Sequence, residues 1–456
     1  MSCRGSLEYT CPSHGGWGMV RIGMMIPECH QLFVCPSACG RHGALGAVQQ
    51  GFKDRLSYLY VEQSDIISGY DNAMIEAVGE VLNRLKKRPK VILVFVSCID
   101  DLIGTDGDAV IAELEERYPD IKFRMGHMNP ISTDSDEPPL VTTWKSVYSL
   151  MEWNGEQRIP AINMLGNYVP VHKESEIYTL MKLLGMEVHH IGDYTTYEEL
   201  RDMGNHYINL LVSPKVEKVG QLLEKTEKIQ YQNGHITCDF EEIRENYKVL
   251  LQRLATIAEG DENREVLAQI KEKETEIKAI LKKAEDEAKK AIAKAKETVG
   301  NRPIYIDYSA FGKPLEAGKF LCEQGFSVKK VYVKDLDEEN EAYQWLLKET
   351  EAEIIKANHH VTVNTWRSKR GLEKDDTNNV CEKCNADNSS VDEPDKGIAI
   401  GMEAAYISGS THIVPMFQTE GMYGVYGVTL LMERLCEAAE KEADIEEIIR
   451  QAGLVA

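Results

Sequence analysis

The chain has 456 residues, 43% hydrophobic and 28% charged, a globular composition too long for one ordinary core and suited to roughly two to four domains. Its formal net charge of −22 opposes binding to nucleic acid, which is held mainly by Lys and Arg against phosphates, and to an anionic membrane surface. No stretch approaches the ~20 apolar residues of a transmembrane helix. The opening "MSCRGSLEYTCPSHGG" has no apolar core of the signal-peptide kind, so the expectation is a cytoplasmic protein.

Residues 1–60 read as loop-rich, with Gly, Pro, His and Cys crowded together. "DNAMIEAVGEVLNRLKKR" (71–88) has helical spacing and basic residues in its last turn. A buried strand follows at 91–97 and a helix at 107–118. "IKFRMGH" (121–127) reads as a strand, and "VTTWKSVYSLMEWN" (141–154) as a helix. A second unit starts near 158. It runs strand "INMLG", helix "ESEIYTLMKLLGM", strand "EVHHIG", helix "TYEELRDM" and strand "YINLLVS". This alternation is the signature of βαβ units and a parallel sheet.

Residues 240–298 are dominated by Ala, Glu and Lys, with Glu–Lys pairs four apart and sparse apolar positions. They predict a long solvated helix or helical hairpin, with a coiled-coil arm as the alternative. A third α/β unit opens at 301 and ends in "IAIGMEAAYISGSTHIVPMFQTEGMYGVYGVTLLMERL". Between its halves, 368–397 is a polar, turn-rich excursion. The fold expected is α/β, with three Rossmann-like parallel-sheet domains, a Cys-rich N-terminal arm and a long helical insertion. The boundaries expected are 1–157 for the arm and first domain, 158–254 for the second, 255–300 for the charged helical insertion and 301–456 for the third.

Six of the eleven cysteines, residues 3, 11, 29, 35, 39 and 98, fall in the first hundred positions. In a cytoplasmic chain of this size, clustered thiols read as metal ligands or redox groups, not as disulfides. Cys322 and Cys436 lie in helical patterns and read as small buried side chains. "VCPSACG" places Cys35 and Cys39 beside Pro and Gly, which let the chain turn and free backbone N–H groups for sulfur. Zinc is the rival to iron–sulfur, with His14, His30 and His42 in the same region. No Cys-x2-Cys pair occurs there, which favours a cluster assembled from distant loops.

Cys381-x2-Cys384 sits in the polar excursion, as half of a zinc or redox site or as an exposed accident. The pairs His189–His190 and His359–His360 point to opposite strand faces and do not share a metal. His412 reads as a satisfied core residue. "GMYGVYG" lacks the Lys and Ser/Thr of a phosphate loop, so its glycines read as sites of close backbone approach to a cofactor or substrate.

"CPSHGGWGMVRIGMMIPECHQLFVC" followed by "SCIDDLIGTD" resembles the nitrogenase component 1 superfamily. That superfamily includes the molybdenum–iron protein subunits, cofactor-assembly scaffolds and related tetrapyrrole and thioether reductases. The resemblance covers most of the chain, apart from about 255–298 and 368–397. It implies that Cys11, Cys35 and Cys98, with Cys39 as the alternative to Cys35, hold iron of an iron–sulfur cluster, 4Fe–4S or a larger P-cluster-like one. The cluster would lie at an interface shared with a homologous component 1 subunit, in a heteromer or homomer. It also implies an ATP-dependent iron–sulfur reductase as electron donor; this chain has no Walker motif. The ligands of the large catalytic metallocluster, a Cys and a His, map to Ser213 and Tyr423, so the chain is unlike the catalytic α subunit. Two activities follow from the resemblance: an electron-transferring oxidoreductase subunit, or a scaffold for metallocluster assembly.

Overall fold

The computed structural model describes residues 18–37, 39–40, 47–48, 51–128, 137–260, 264–334, 336–356, 397–444 and 447–448. The chain forms three parallel sheets flanked by helices. The first contains β1 (Cys29–Cys35), β2 (Leu56–Tyr60), β3 (Val91–Ser97) and β4 (Lys122–Met128), in the order β2-β1-β3-β4. The second contains β5 (Ile159–Leu165), β6 (Glu187–His189), β7 (His206–Leu211) and β8 (Gln230–Asn233), in the order β6-β5-β7-β8. The third contains β9 (Pro303–Asp307), β10 (Ser327–Val333), β11 (Glu353–Lys356), β12 (Ile398–Ile400) and β13 (His412–Val414), in the order β11-β10-β9-β12-β13.

In each sheet the first strand has later strands on both sides, so the winding direction reverses beside it. The reversals fall between β1 and β3, β5 and β7, and β9 and β12. Open α/β sheets bind ligands at the carboxyl ends of the strands at such switch points.

β3 shows why its sequence is apolar throughout. All seven residues are buried. Val91, Leu93 and Phe95 face a core shared with the second unit, while Ile92, Val94 and Val96 face the helices Asp71–Arg84 and Gly107–Arg117. A parallel strand covered on both faces has no need of alternation. The second sheet lies between the other two: Leu165 and Leu211 join the core of the first unit, and Ile162, Met164, Ile208 and Leu210 join that of the third.

Two sequence expectations change. β1 and β2 lie inside the stretch read as loop-rich. "CHQLFVC" is fully buried along its length, but its polar His30 and Gln31 hide the strand pattern. The charged insertion is also no free arm. Helices Phe240–Gly260, Arg264–Glu272 and Glu274–Val299 turn Tyr247, Leu250, Leu254, Ile277, Ala288, Ile292 and Ala295 into the large core, and Glu274–Val299 runs along the final helix Gly424–Glu440. Sparse apolar positions suffice because small alanines let the two helices approach closely.

Candidate functional site

The first switch point gathers thiols. Val34 pairs with Val96 across β1 and β3, which sets Cys35 and Cys98 at neighbouring strand ends. Ser97 caps the short helix Cys98–Ile103: its hydroxyl accepts from Ile99 N at 3.3 Å, and its own N–H donates to Asp100 Oδ2 at 3.0 Å. Gly104, at φ 74, ends that helix, and Asp106 caps the next one through Ala109 N at 3.0 Å. The aspartates of "CIDDLIGTD" therefore shape the turn that presents Cys98.

Cys39 enters on the turn after β1, where its N–H donates to Pro36 O at 3.0 Å. Cys35 is fully buried, Cys39 exposed and Cys98 half-buried. Burial pushes the Cys35 thiol up to about 12, and Cys39 and the Asp100 carboxylate within electrostatic reach add to this. Cys39 is raised by burial and then by Cys98. Gly40 passes so close that a Cβ would lie 3.2 Å from Cys35 Sγ and 2.7 Å from the Tyr58 ring, so a side chain there would press into the space over the sulfur.

The structure thus brings Cys35, Cys39 and Cys98 to one edge. Cys11, Cys3, His14, His42, His359, His360, Cys381 and Cys384 lie outside the described residues. Among the described residues no three His, Cys, Asp or Glu converge closely enough to hold a single metal ion. Separated thiols on three segments suit a multi-atom cluster better than one zinc. His30 is not part of this set. It lies on the opposite face of β1 and meets Ser57 Oγ at 2.9 Å, and burial pushes its pKa down to about 4. Cys29 is six residues from Cys35, about 20 Å along the strand.

The rim of the thiol edge is apolar. Tyr60, Ile67, Leu102 and Ile103 are exposed, Ile67 by 87% and Leu102 by 75%. Tyr60 ends β2, Ile67 follows it, and Leu102 and Ile103 follow β3.

The second switch point opens into a cleft. Gly166, Asn167 and Ser213 line it from the ends of β5 and β7, with His235 and Cys238 beyond β8. The opposite wall comes from the third unit: Phe311–Ala317 in part, Gln418, Thr419 and Met422. Gly166 takes φ +105, where a Cβ would lie 2.7 Å from Val216. Gln418 and Thr419 take left-handed φ of 49° and 55°, and their N–H groups donate to Ser309 O and Ala310 O, both at 2.7 Å. Lys215 Nζ, which does not line the cleft, donates to Gln418 Oε1 at 2.6 Å. Of these residues, the sequence motifs include Ser213 and, within GMYGVYG, Met422; the lining comes from segments up to 256 positions apart, Gly166 to Met422.

The third switch point is closed. Asp307 is buried at the end of β9 and accepts from Ser309 N at 2.7 Å, Ala310 N at 3.0 Å and Ala404 N at 2.6 Å. Gly401, at φ +105, lies so close that a Cβ would be 2.3 Å from both Asp307 oxygens.

The glycines of "GMYGVYG" serve packing. Gly424, at φ +60, lets the carboxylate of Glu176 accept from Val425 N at 2.6 Å, Tyr426 N at 3.0 Å and the Tyr247 hydroxyl at 2.8 Å. The close approach is thus to a buried glutamate. His412 is satisfied as expected, with Nδ1 2.7 Å from Ala438 O.

Residues 14–373 match the family described as nitrogenase component 1 type oxidoreductase, and the chain belongs to that family. Over 219 residues it is 24% identical to the nitrogenase iron-molybdenum cofactor biosynthesis protein NifE of Clostridium pasteurianum. That match covers 45% of this chain and 46% of NifE, about half of each. The fold is similar to nitrogenase Cp1 at pH 6.5, with TM-score 0.64, 14% identity and coverage of 96% of this chain and 95% of that one. It is also similar to nitrogenase Cp1 at pH 5, with TM-score 0.51, 17% identity and coverage of 74% and 67%. Three parallel sheets with helices are the architecture these structures share with it. Among the described residues no helix is long and apolar enough to cross a membrane.

Proposed function

We propose that the chain is a subunit of a nitrogenase-like oxidoreductase, with domain boundaries near 157, 254 and 300. It would take electrons from an ATP-dependent iron–sulfur reductase through a cluster held by Cys11, Cys35 and Cys98, with Cys39 as the alternative to Cys35. The observation that carries this reading is the gathering of Cys35, Cys39 and Cys98 at the switch point of the first sheet. When bound there, an iron–sulfur cluster would supply one-electron storage. The protein's part is to aim the three thiols from a rigid strand end, the turn after β1 and the capped turn after β3, and to keep water from Cys35. The exposed Tyr60, Ile67, Leu102 and Ile103 support a second component 1 subunit covering the thiol edge, since exposed apolar clusters of this kind mark interfaces.

The alternative is a scaffold for metallocluster assembly. It is supported by the similarity to NifE, a protein named for cofactor biosynthesis. Anaerobic purification followed by iron analysis and absorbance near 400 nm tests the shared premise. Wild type and Cys436→Ala should hold equal iron, and Cys98→Ala should lose it. Equal iron in all three refutes the ligand assignment. ATP-dependent turnover with the reductase then separates the enzyme from the scaffold.

A further inference from the structure

The register of the first sheet puts more than thiols at its edge. Phe33 pairs with Tyr58, and Cys35 with Tyr60, across β1 and β2. Register partners, and residues two apart on a strand, share a face of the sheet, so all four side chains point to one side. The rings stack there. Tyr58 lies on Tyr60 with centres 5.6 Å apart and planes 7° apart, and meets Phe33 at 5.5 Å. Phe33 in turn stacks on Phe95 at 4.9 Å, in the core. The Tyr58 ring is thus held from two sides by other rings. Gly40 closes the third side. The point where its Cβ would stand is 2.7 Å from the Tyr58 ring and 3.2 Å from Cys35 Sγ, so ring and sulfur border the same small space. Cys35 also lies within electrostatic reach of the Tyr58 phenol.

The hydroxyl at the end of this fixed ring is unspent. Tyr58 Oη is shut off from solvent and meets no hydrogen-bond partner among the described residues. A buried hydroxyl in that state costs free energy, and folded chains seldom leave one so. The neighbouring hydroxyl shows the contrast: Ser57 Oγ, on the opposite face, meets His30 at 2.9 Å. The residues present fit an iron–sulfur cluster on three counts. Thiols arrive from separate segments, Gly40 carries no side chain to fill the space over the Cys35 sulfur, and a phenol with a proton to give stands beside that space.

We propose that Tyr58 donates a hydrogen bond to a sulfur of the cluster, the Cys35 thiolate or an adjacent sulfide, and thereby raises the cluster's reduction potential. The inference rests on the cluster reading above and adds to it a residue that no cysteine spacing reveals. Taking up an electron places negative charge on the sulfurs, and a donor aimed at them favours the reduced form. Tyr58 acts through the sulfur, so it tunes the potential and iron content does not depend on it.

The test uses the full chain, purified anaerobically with any subunit that accompanies it, as wild type, Tyr58→Phe and Tyr60→Phe. Tyr58→Phe keeps the ring and its stacking and removes only the oxygen. Tyr60→Phe removes a hydroxyl from the same stack on an exposed ring. Iron per chain and the midpoint potential, from a spectroelectrochemical titration, are measured on all three. Iron should be equal throughout. The equilibrium constant for reduction should fall about tenfold in Tyr58→Phe, which is a drop of about 59 mV for one electron, and Tyr60→Phe should match wild type. With equal iron, a wild-type potential in Tyr58→Phe, or an equal drop in Tyr60→Phe, overturns the inference and leaves the iron assignment standing. Loss of iron from Tyr58→Phe overturns it by making the hydroxyl a condition of binding. An iron-free wild type overturns both readings.

Discussion

The burial of Lys215 between the second and third units carries a cost that can be measured without any ligand. Its pKa falls from the ordinary 10.5 to about 8, through burial first and then Lys334. Such a drop corresponds to about 3 kcal/mol of disfavour for the charged form in the folded chain. Lys215→Met removes that cost and leaves Gln418 Oε1 without its donor, a loss of about 1 kcal/mol. The variant should therefore be about 2 kcal/mol more stable than wild type near neutral pH. The pH dependence fixes the sign. Below about pH 8 the lysine is charged in both folded and unfolded chains, and its cost is fully present. Between about 8 and 10.5 the unfolded chain holds more protons, so wild type gains stability as pH rises and the advantage of Lys215→Met shrinks. Urea unfolding of both proteins, near neutral pH and again at the alkaline end of this window, measures it. A variant no more stable than wild type at neutral pH, or an advantage that grows with pH, refutes the reasoning.

Other consequences are open to similar tests. Gly401→Ala forces a Cβ to within 2.3 Å of both Asp307 oxygens at a left-handed φ, and should cost about 2 kcal/mol or more in urea unfolding. Glu176→Ala leaves Val425 N, Tyr426 N and the Tyr247 hydroxyl without their acceptor, and should lower stability by about 3 kcal/mol or more. Leu102→Asp, on the exposed rim, should shift the chain toward monomer in sedimentation while leaving the circular dichroism spectrum unchanged; an unaltered oligomer would remove that rim from the partner surface.

Much of this was legible because the local rules agreed. The run 91–97 reads as a buried strand and is one, ending at the residue before Cys98. The strands near 122, 162 and 207 fall within a few residues of their sequence limits, whereas the helix read over 141–154 spans Pro139–Tyr148. β1 escaped because His30 and Gln31 break its apolar pattern, and only the tertiary partner Ser57 satisfies the histidine. The glycines of "GMYGVYG" were legible as sites of close approach, but what approaches, Glu176, lies 248 positions earlier than Gly424. Nothing in "VSPKVEK" marks Lys215 as special. Its situation arises from Gln418 and Lys334, which reach it only after the second and third units dock.

The charged helices of 240–299 acquire a mechanical meaning from their packing. Glu274–Val299 lies along Gly424–Glu440 and also touches Glu176–Leu183, so one rod is fastened to both units that wall the cleft. That rod thus bears on both walls from a distance, in the way a brace joins the two sides of a frame. Alanines at 288 and 295 on the buried face of that rod would act as its gauge. A larger side chain at either position would press on that packing without altering a residue that lines the cleft.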